Sequence, residues 1–436
     1  MRMRALVRRD ALREYAAGSL WVLPTAAALV ALIAGAVLSG VRIDPHSALA
    51  PLAFQGTADD ARTLLITIAS TVVTVIALVL GLTVVALQLS STQFSPRLLR
   101  NFLRDRPTQR VLSVYLATFA YSAAGLYKVG VSSGNRTEQF PRLAVTGAIL
   151  LLFATLGMVV YFANHLAHSI QIDAITGLVQ AGTLAVVRTK PGTVEDPTPT
   201  PPAWAVTVSA TRSGYVETVH PKRLLPLAAR HRVQVLLRPQ VGEHLVAGTT
   251  VAWLWAPSPQ DRAPDPAAFA EAVADAVRVG FERTLEQDAA FGIRQLVDVA
   301  CKALSPAVND PYTAVQAVDH LSVIFCALAA RPLGDDVARD EAGHAVVTVP
   351  GRRFGDYLGN MCGLIRRYGA PEPTVAVALL RLLTDCLSFI GQDATRAANI
   401  EQQADLILAD AERAVEQPAD LRQVRAAAAL LGQRRN

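Results

Sequence analysis

Four long stretches without a charged side chain dominate the N-terminal part of the chain: residues 15–41, 63–96, 111–127 and 143–172. A helix rises ~1.5 Å per residue, so ~20 apolar residues cross a hydrocarbon core ~30 Å thick. Lipid offers the backbone no hydrogen-bond partner outside a helix or a closed barrel. The stretches therefore predict four transmembrane helices, at about 20–41, 64–89, 111–131 and 143–165. The third is the least apolar, and Lys128 at its edge has to reach the interface. The remaining chain has ordinary polarity, so the overall 18% charged residues and mean hydropathy of +0.31 average two unlike parts. The first uncharged run is longer than the ~7–15 residues of a signal-peptide core, which predicts a retained span.

Arginine placement orients the chain. Arg2, Arg4, Arg8, Arg9 and Arg13 precede the first span, and Arg97, Arg100, Arg104, Arg106 and Arg110 separate the second from the third. The two other loops are poor in Lys and Arg. The positive-inside rule then predicts a plasma (inner) membrane protein with its N-terminus and its C-terminal region in the cytoplasm. Its surroundings are the lipid bilayer. A net charge of +5 with no basic stripe interleaved with aromatics predicts no nucleic-acid partner. Cys301, Cys326, Cys362 and Cys386 form no C-x-x-C pair and are expected to be free thiols in a reducing compartment.

The second span carries a polar stripe. Thr63, Thr67, Ser70, Thr74, Ala77, Gly81, Val84, Gln88 and Ser91 alternate by four and three and so share one helix face. Two readings are open. Small and hydroxylated residues let helices pack closely, or they line a pathway around the axis of a homo-oligomer. On the second reading Thr67, Ser70 and Thr74 line the path, and Gln88, Ser91 and Arg97 line its inner mouth. No Asp, Glu or Arg lies in the middle of a span, which argues against an ion-coupled pump.

The helical pattern continues past the fourth span to about residue 187, giving a first domain of 1–187 that includes a cytoplasmic helical extension. Five prolines make 188–203 a stiff linker. From 204 to 258 the period shifts to two, with strands expected at 204–210, 215–219, 232–237 and 250–255 and turns at Gly214, Gly242 and Gly248. The run Val241–Gly248 resembles the hairpin of lipoyl-type modules, without a lysine at its tip, so 204–258 is expected to be a small β-barrel or sandwich-like module. Residues 265–436 read as a helical bundle: continuous helix over 266–304, then helices to about 330, a short strand at 344–349, and helices at 352–368, 372–390, 395–415 and 419–431. The expected fold is thus an α-helical integral membrane protein with a cytoplasmic α+β region.

Between the first two helices of that bundle lies an elbow, Ser305-Pro-Ala-Val-Asn-Asp-Pro311. Asp310 suits an N-cap and Pro311 a first helical position. Arg294, Asp298, Lys302, Ser305, Asn309 and Asp310 are polar residues in an otherwise apolar stretch. They are candidates for a ligand or subunit interface, against the simpler reading of capping and surface ion pairs.

Two segments carry a family resemblance. Phe291–Ala314 (FGIRQLVDVACKALSPAVNDPYTA) and Gln88–Arg97 (QLSSTQFSPR), with the four-span layout, resemble an uncharacterised bacterial family of predicted membrane proteins, domain of unknown function 2254. That resemblance implies no established activity and no set of functional residues. No H-E-x-x-H, G-x-S-x-G, Walker or G-x-G-x-x-G motif is present, His220, His231, His244, His320 and His344 have no metal-ligand spacing, and His165 and His168, a turn apart, read as interfacial rather than as metal ligands for want of a third ligand nearby. No enzyme, cofactor or metal is therefore expected. Two functions fit: an oligomeric channel or solute pathway with a cytoplasmic assembly or gating domain, or a membrane-anchored sensor or scaffold whose cytoplasmic domain binds a ligand or partner.

Overall fold

The computed structural model describes residues 21–41, 53–93, 106–131, 141–169, 172–189, 198–261, 263–341, 343 and 345–433. The chain is mostly helical and divides into two compact units, 1–171 and 172–436.

The first unit contains α1 (Val22–Leu38), α2 (Ala58–Gln93), α3 (Arg106–Val131) and α4 (Arg142–Ser169). The start of α2 is a capping box, in which the Thr57 backbone N–H donates to Asp60 (2.9 Å) and the Asp60 N–H donates to the Thr57 hydroxyl (3.2 Å). Helix α3 is central and packs against α1, α2 and α4. Close approach explains the small residues: a Cβ at Gly35 of α1 would lie 2.9 Å from the Tyr121 carbonyl oxygen of α3. One at Gly147 of α4 would lie 2.2 Å from the Tyr121 hydroxyl.

Of the four expected spans, the described residues support membrane crossing to different degrees. By length and composition, Ala58–Ala86 and Arg142–His168 qualify as membrane-crossing helices, while Val22–Leu38 is apolar but shorter. Helix α3 does not qualify, and of its polar side chains Thr108, Gln109, Ser113, Thr118 and Ser122 are buried while Arg106 and Arg110 are exposed. A third helix that qualifies, Pro311–Ala329, lies in the second unit, where its apolar residues are core: Ala314, Val318, Leu321, Ile324 and Phe325 are fully buried.

The second unit opens with α5 (Ile172–Thr189) and continues through β1 (Val206–Ser209), β2 (Gly214–Val219), α6 (Pro221–His231), β3 (Gln234–Leu237), β4 (His244–Leu245) and β5 (Thr250–Trp255). Then follow α7 (Pro266–Ala276), β6 (Val277–Gly280), α8 (Ala289–Ala303), α9 (Pro311–Ala329), β7 (Asp336–Arg339) and β8 (Val346–Val349). Helices α10 (Phe354–Tyr368), α11 (Pro373–Leu387), α12 (Ala394–Ala414) and α13 (Pro418–Gln433) complete it. Helix α5 was expected to extend the last span. It packs instead on α8 and α9, burying Val179, Thr183, Val186 and Val187, and Gly292 of α8 leaves room for the Thr183 hydroxyl.

The barrel or sandwich module also needs correction. Among the described residues the strands form two open sheets, one ordered β1-β5-β3-β8-β7 and one ordered β4-β2-β6, and no barrel closes. Pairs are antiparallel except β3 with β8, which joins Val235 to Val347 in parallel register. Residues 204–258 therefore do not complete a sheet alone. β6 interrupts the expected continuous helix over 266–304 because β2 takes it as an edge partner, and β7–β8 return from between the helices. One core unites both sheets with Leu224 and Ala228 of α6 and Phe269 and Val273 of α7. Among the helices, Arg396 of α12 is buried. Its guanidinium donates to the Ala329 carbonyl oxygen at the end of α9 (2.8 Å) and pairs with Asp393.

Candidate functional site

The stripe on α2 faces away from the other described helices of the first unit. Thr63, Thr67, Ser70, Thr74, Ala77, Gly81, Val84 and Gln88 are all exposed, whereas Ala61, Leu65, Ile68, Val72, Val79 and Ala86 on the opposite side are buried. The hydroxyls bond within the helix: Thr67 donates to the Thr63 carbonyl (2.7 Å), Ser70 to that of Thr67 (3.1 Å) and Thr74 to that of Ser70 (3.1 Å). Local bonding lowers the cost of placing a hydroxyl in an apolar medium. Ser91 lies in the last turn of α2 by its backbone, and Arg97 lies outside the described residues.

A second polar line, which hydropathy alone passes over, runs down α3. Thr108, Val111, Tyr115, Thr118, Ser122, Gly125 and Val129 are spaced by three and four and are all buried. A Cβ at Gly125 would touch Leu65 of α2, at 3.3 Å. Thr118 donates to the Val114 carbonyl (2.8 Å). Among the described residues, the Tyr115 hydroxyl, the Ser122 hydroxyl, the Tyr121 hydroxyl and the Gln109 amide nitrogen are buried without a hydrogen-bond partner. The same three-four spacing that marked α2 could have found this line in the sequence.

In the second unit the six elbow residues do not converge. Arg294 and Asp298 form an ion pair one turn apart (2.7 Å), and Lys302, a turn further on, is exposed. The Ser305 hydroxyl donates to the Lys302 carbonyl (2.7 Å). Asn309 turns the chain in the left-handed region, φ 50°, which Asn tolerates better than most residues. Asp310 caps α9, accepting from the Thr313 hydroxyl (2.6 Å) and backbone N–H (3.1 Å). These bonds hold its carboxyl below the usual aspartate range. The elbow is thus accounted for as a cap, a turn and a surface pair.

None of those residues lines a cavity found elsewhere in the second unit. It measures about 350 Å³, within the ~300–1,000 Å³ of small-molecule sites. It lies where α5, the end of β2, the 240–241 turn, the 286–288 loop, the 349–352 loop and Tyr357 of α10 meet. Two glycines make room. Gly242, at φ +88°, would place a Cβ 2.0 Å from the Asp288 carboxylate, and a Cβ at Gly351 would fall 1.8 Å from the Gly334 carbonyl oxygen. Asp288, almost fully buried, caps α8 by accepting from the Phe291 N–H (3.1 Å) and pairs with Arg283 (2.7 Å). Tyr357 is buried, and this pushes its hydroxyl up to about 12, so it stays a donor. No sequence motif marks this site, because its walls come from segments far apart in the chain. Among the described residues, no group of three or more His, Cys, Asp or Glu is placed to hold a metal ion.

An apolar helical unit followed by a folded α+β unit defines a membrane protein with an appended domain. The chain belongs to the family described as predicted membrane protein DUF2254, which it matches over residues 17–385. It is 43% identical to uncharacterised proteins of Mycobacterium tuberculosis H37Rv and Mycobacterium bovis, over 97% of its own length and 82% of theirs. No solved structure matches it.

Proposed function

We propose that this protein is an oligomer of the bacterial plasma membrane in which four helices cross the bilayer and α2 of each copy faces a shared axis. There it lines a path for a small ion or solute. The N-terminus and the second unit lie in the cytoplasm, where the second unit assembles or gates the pathway, and no catalytic step is assigned. The observation that supports this reading is that, among the described residues of the first unit, no other helix covers the hydroxyl and small-residue ridge of α2. In lipid such ridges are where helices meet.

The test is ion and solute flux through purified protein in liposomes, with Thr67→Val, Ser70→Ala and Thr74→Val combined. Flux altered by the triple variant supports the ridge as the path. Flux altered by Tyr115→Phe with Ser122→Ala, and not by the triple variant, moves the path inside one bundle along α3. No flux from folded protein, across a range of ions and voltages, removes the pathway.

A second reading has its own observation. If the helices only anchor the protein, the second unit binds a ligand, and the cavity beside Tyr357 supports that role.

A further inference from the structure

The charges around the cavity of the second unit are unevenly spent. Glu286 is paired with Arg278, which also holds Glu217 at 2.8 Å. Asp288 is paired with Arg283 (2.7 Å) and caps α8. Asp336, which also lines the cavity, is not free. Arg352 differs. Its guanidinium reaches only neutral acceptors, the Gln240 side-chain oxygen and the Val241 carbonyl oxygen, both at 3.4 Å. Among the described residues, no carboxylate stands within ion-pair distance of it.

These two contacts are long for charge-assisted hydrogen bonds, which run ~2.7–2.9 Å, and they leave other N–H donors of the fork unspent. The backbone holds Arg352 in place. The preceding Gly351 donates its N–H to Asp335 (3.0 Å) and leaves no room for a Cβ against Gly334. The wall also carries acceptors, the carboxylates of Glu286, Asp288 and Asp336, of which Glu286 and Asp288 are ion-paired with Arg278 and Arg283. The Gln287 side-chain oxygen accepts the Val219 N–H (3.0 Å), which leaves its amide NH₂ available. Tyr357 also lines the cavity. Valines at 186, 219, 241 and 349 supply an apolar floor.

An unpaired half-buried guanidinium, spare donors and an apolar floor complement one chemistry. We propose that this cavity binds a small organic anion whose carboxylate or phosphate is held by Arg352 and whose body rests on the valines. A planar guanidinium suits both groups through paired N–H···O bonds, which a lysine cannot reproduce. This rests on the ligand-binding reading of the second unit and names the ligand class for it. It is independent of whether the helices conduct.

The experiment uses the full chain in detergent, with thermal unfolding and titration calorimetry. The anionic probes are succinate, inorganic phosphate and adenosine 5′-monophosphate, with adenosine, glucose and putrescine as neutral and cationic counterparts. The expected result is dose-dependent stabilisation by an anionic probe. Succinate against the two phosphates decides which anion the site takes. Arg352→Gln is expected to weaken binding tenfold or more, Arg352→Lys to weaken it less, and the exposed Arg339→Gln to leave it unchanged. The Lys variant keeps the test decisive if the Gln variant does not fold. Binding of only the neutral or cationic probes, or anion binding indifferent to both Arg352 variants, overturns the anion assignment while leaving a ligand-binding unit in place. No binding by any probe overturns both.

Discussion

Both units have an apolar core, and they differ in what covers their outsides and in how many polar side chains share the interior. In the first, large aliphatic and aromatic side chains cover the outside, with Leu150, Phe153 and Val160 each two-thirds or more exposed. Its interior holds Thr108, Gln109, Ser113, Thr118 and Ser122. In the second, Leu, Val, Ile and Phe fill the core, and the ion pairs Arg381–Asp319, Arg425–Glu412 and Arg223–Asp275 lie on the surface. The difference teaches that the apolar content of a helix does not decide which solvent it meets. Pro311–Ala329 is apolar enough to cross a membrane and is a core helix, whereas Arg106–Val131 is too polar by composition and is the helix the other three surround. An apolar outside is stable against hydrocarbon, and a polar inside is tolerated where neighbouring helices screen it from lipid.

Three substitutions break or sharpen this contrast. The largest effect is expected for Leu321→Asp, at a fully buried position of α9. It places an unpaired charge in the core and is expected to cost more than ~4 kcal/mol. A thermal melt should show the second unit unfolded, and a wild-type melt would mean that α9 is not core. Next comes Leu150→Lys, on the exposed side of α4. On a water-facing surface it would change stability by less than ~0.5 kcal/mol. In the middle of a membrane span it costs ~2.5–3.5 kcal/mol of insertion free energy. An insertion assay that finds no loss would break the comparison at its root.

The smallest effect is expected for Asp310→Ala, which removes the α9 cap and costs about 1 kcal/mol. The sign with pH follows from the bonds from Thr313, which lower the folded-state pKa of Asp310. Its stabilisation is therefore fully present above the unfolded aspartate value of ~3.9 and is lost as pH falls through the lower folded value. Melts of wild type and variant should differ at neutral pH and converge in acid. A gap that persists in acid would show that the cap's contribution is not the carboxylate's.

Much of the local structure was legible. The strands at Val206–Ser209, Gly214–Val219, Gln234–Leu237 and Thr250–Trp255 follow the alternation of their side chains. The start of α9 follows from Asp310-Pro311. The hydroxyl stripe of α2 was legible as a single face, because helical periodicity is a property of one segment. The buried line of α3 had the same periodicity and was hidden by its modest hydropathy.

The sequence by itself determined the apolar helices, the strand periods and the helix caps, since each depends on residues within a few positions of one another. Only the tertiary structure decided that the α2 stripe faces outward and the α3 line inward, that β8 returns to pair with β3, and that Arg352 stands over a cavity without a carboxylate partner. A period says that residues share a face and not what covers it. A cavity walled by α5, a turn near residue 240 and a loop near residue 350 exists only once long-range packing has brought them together.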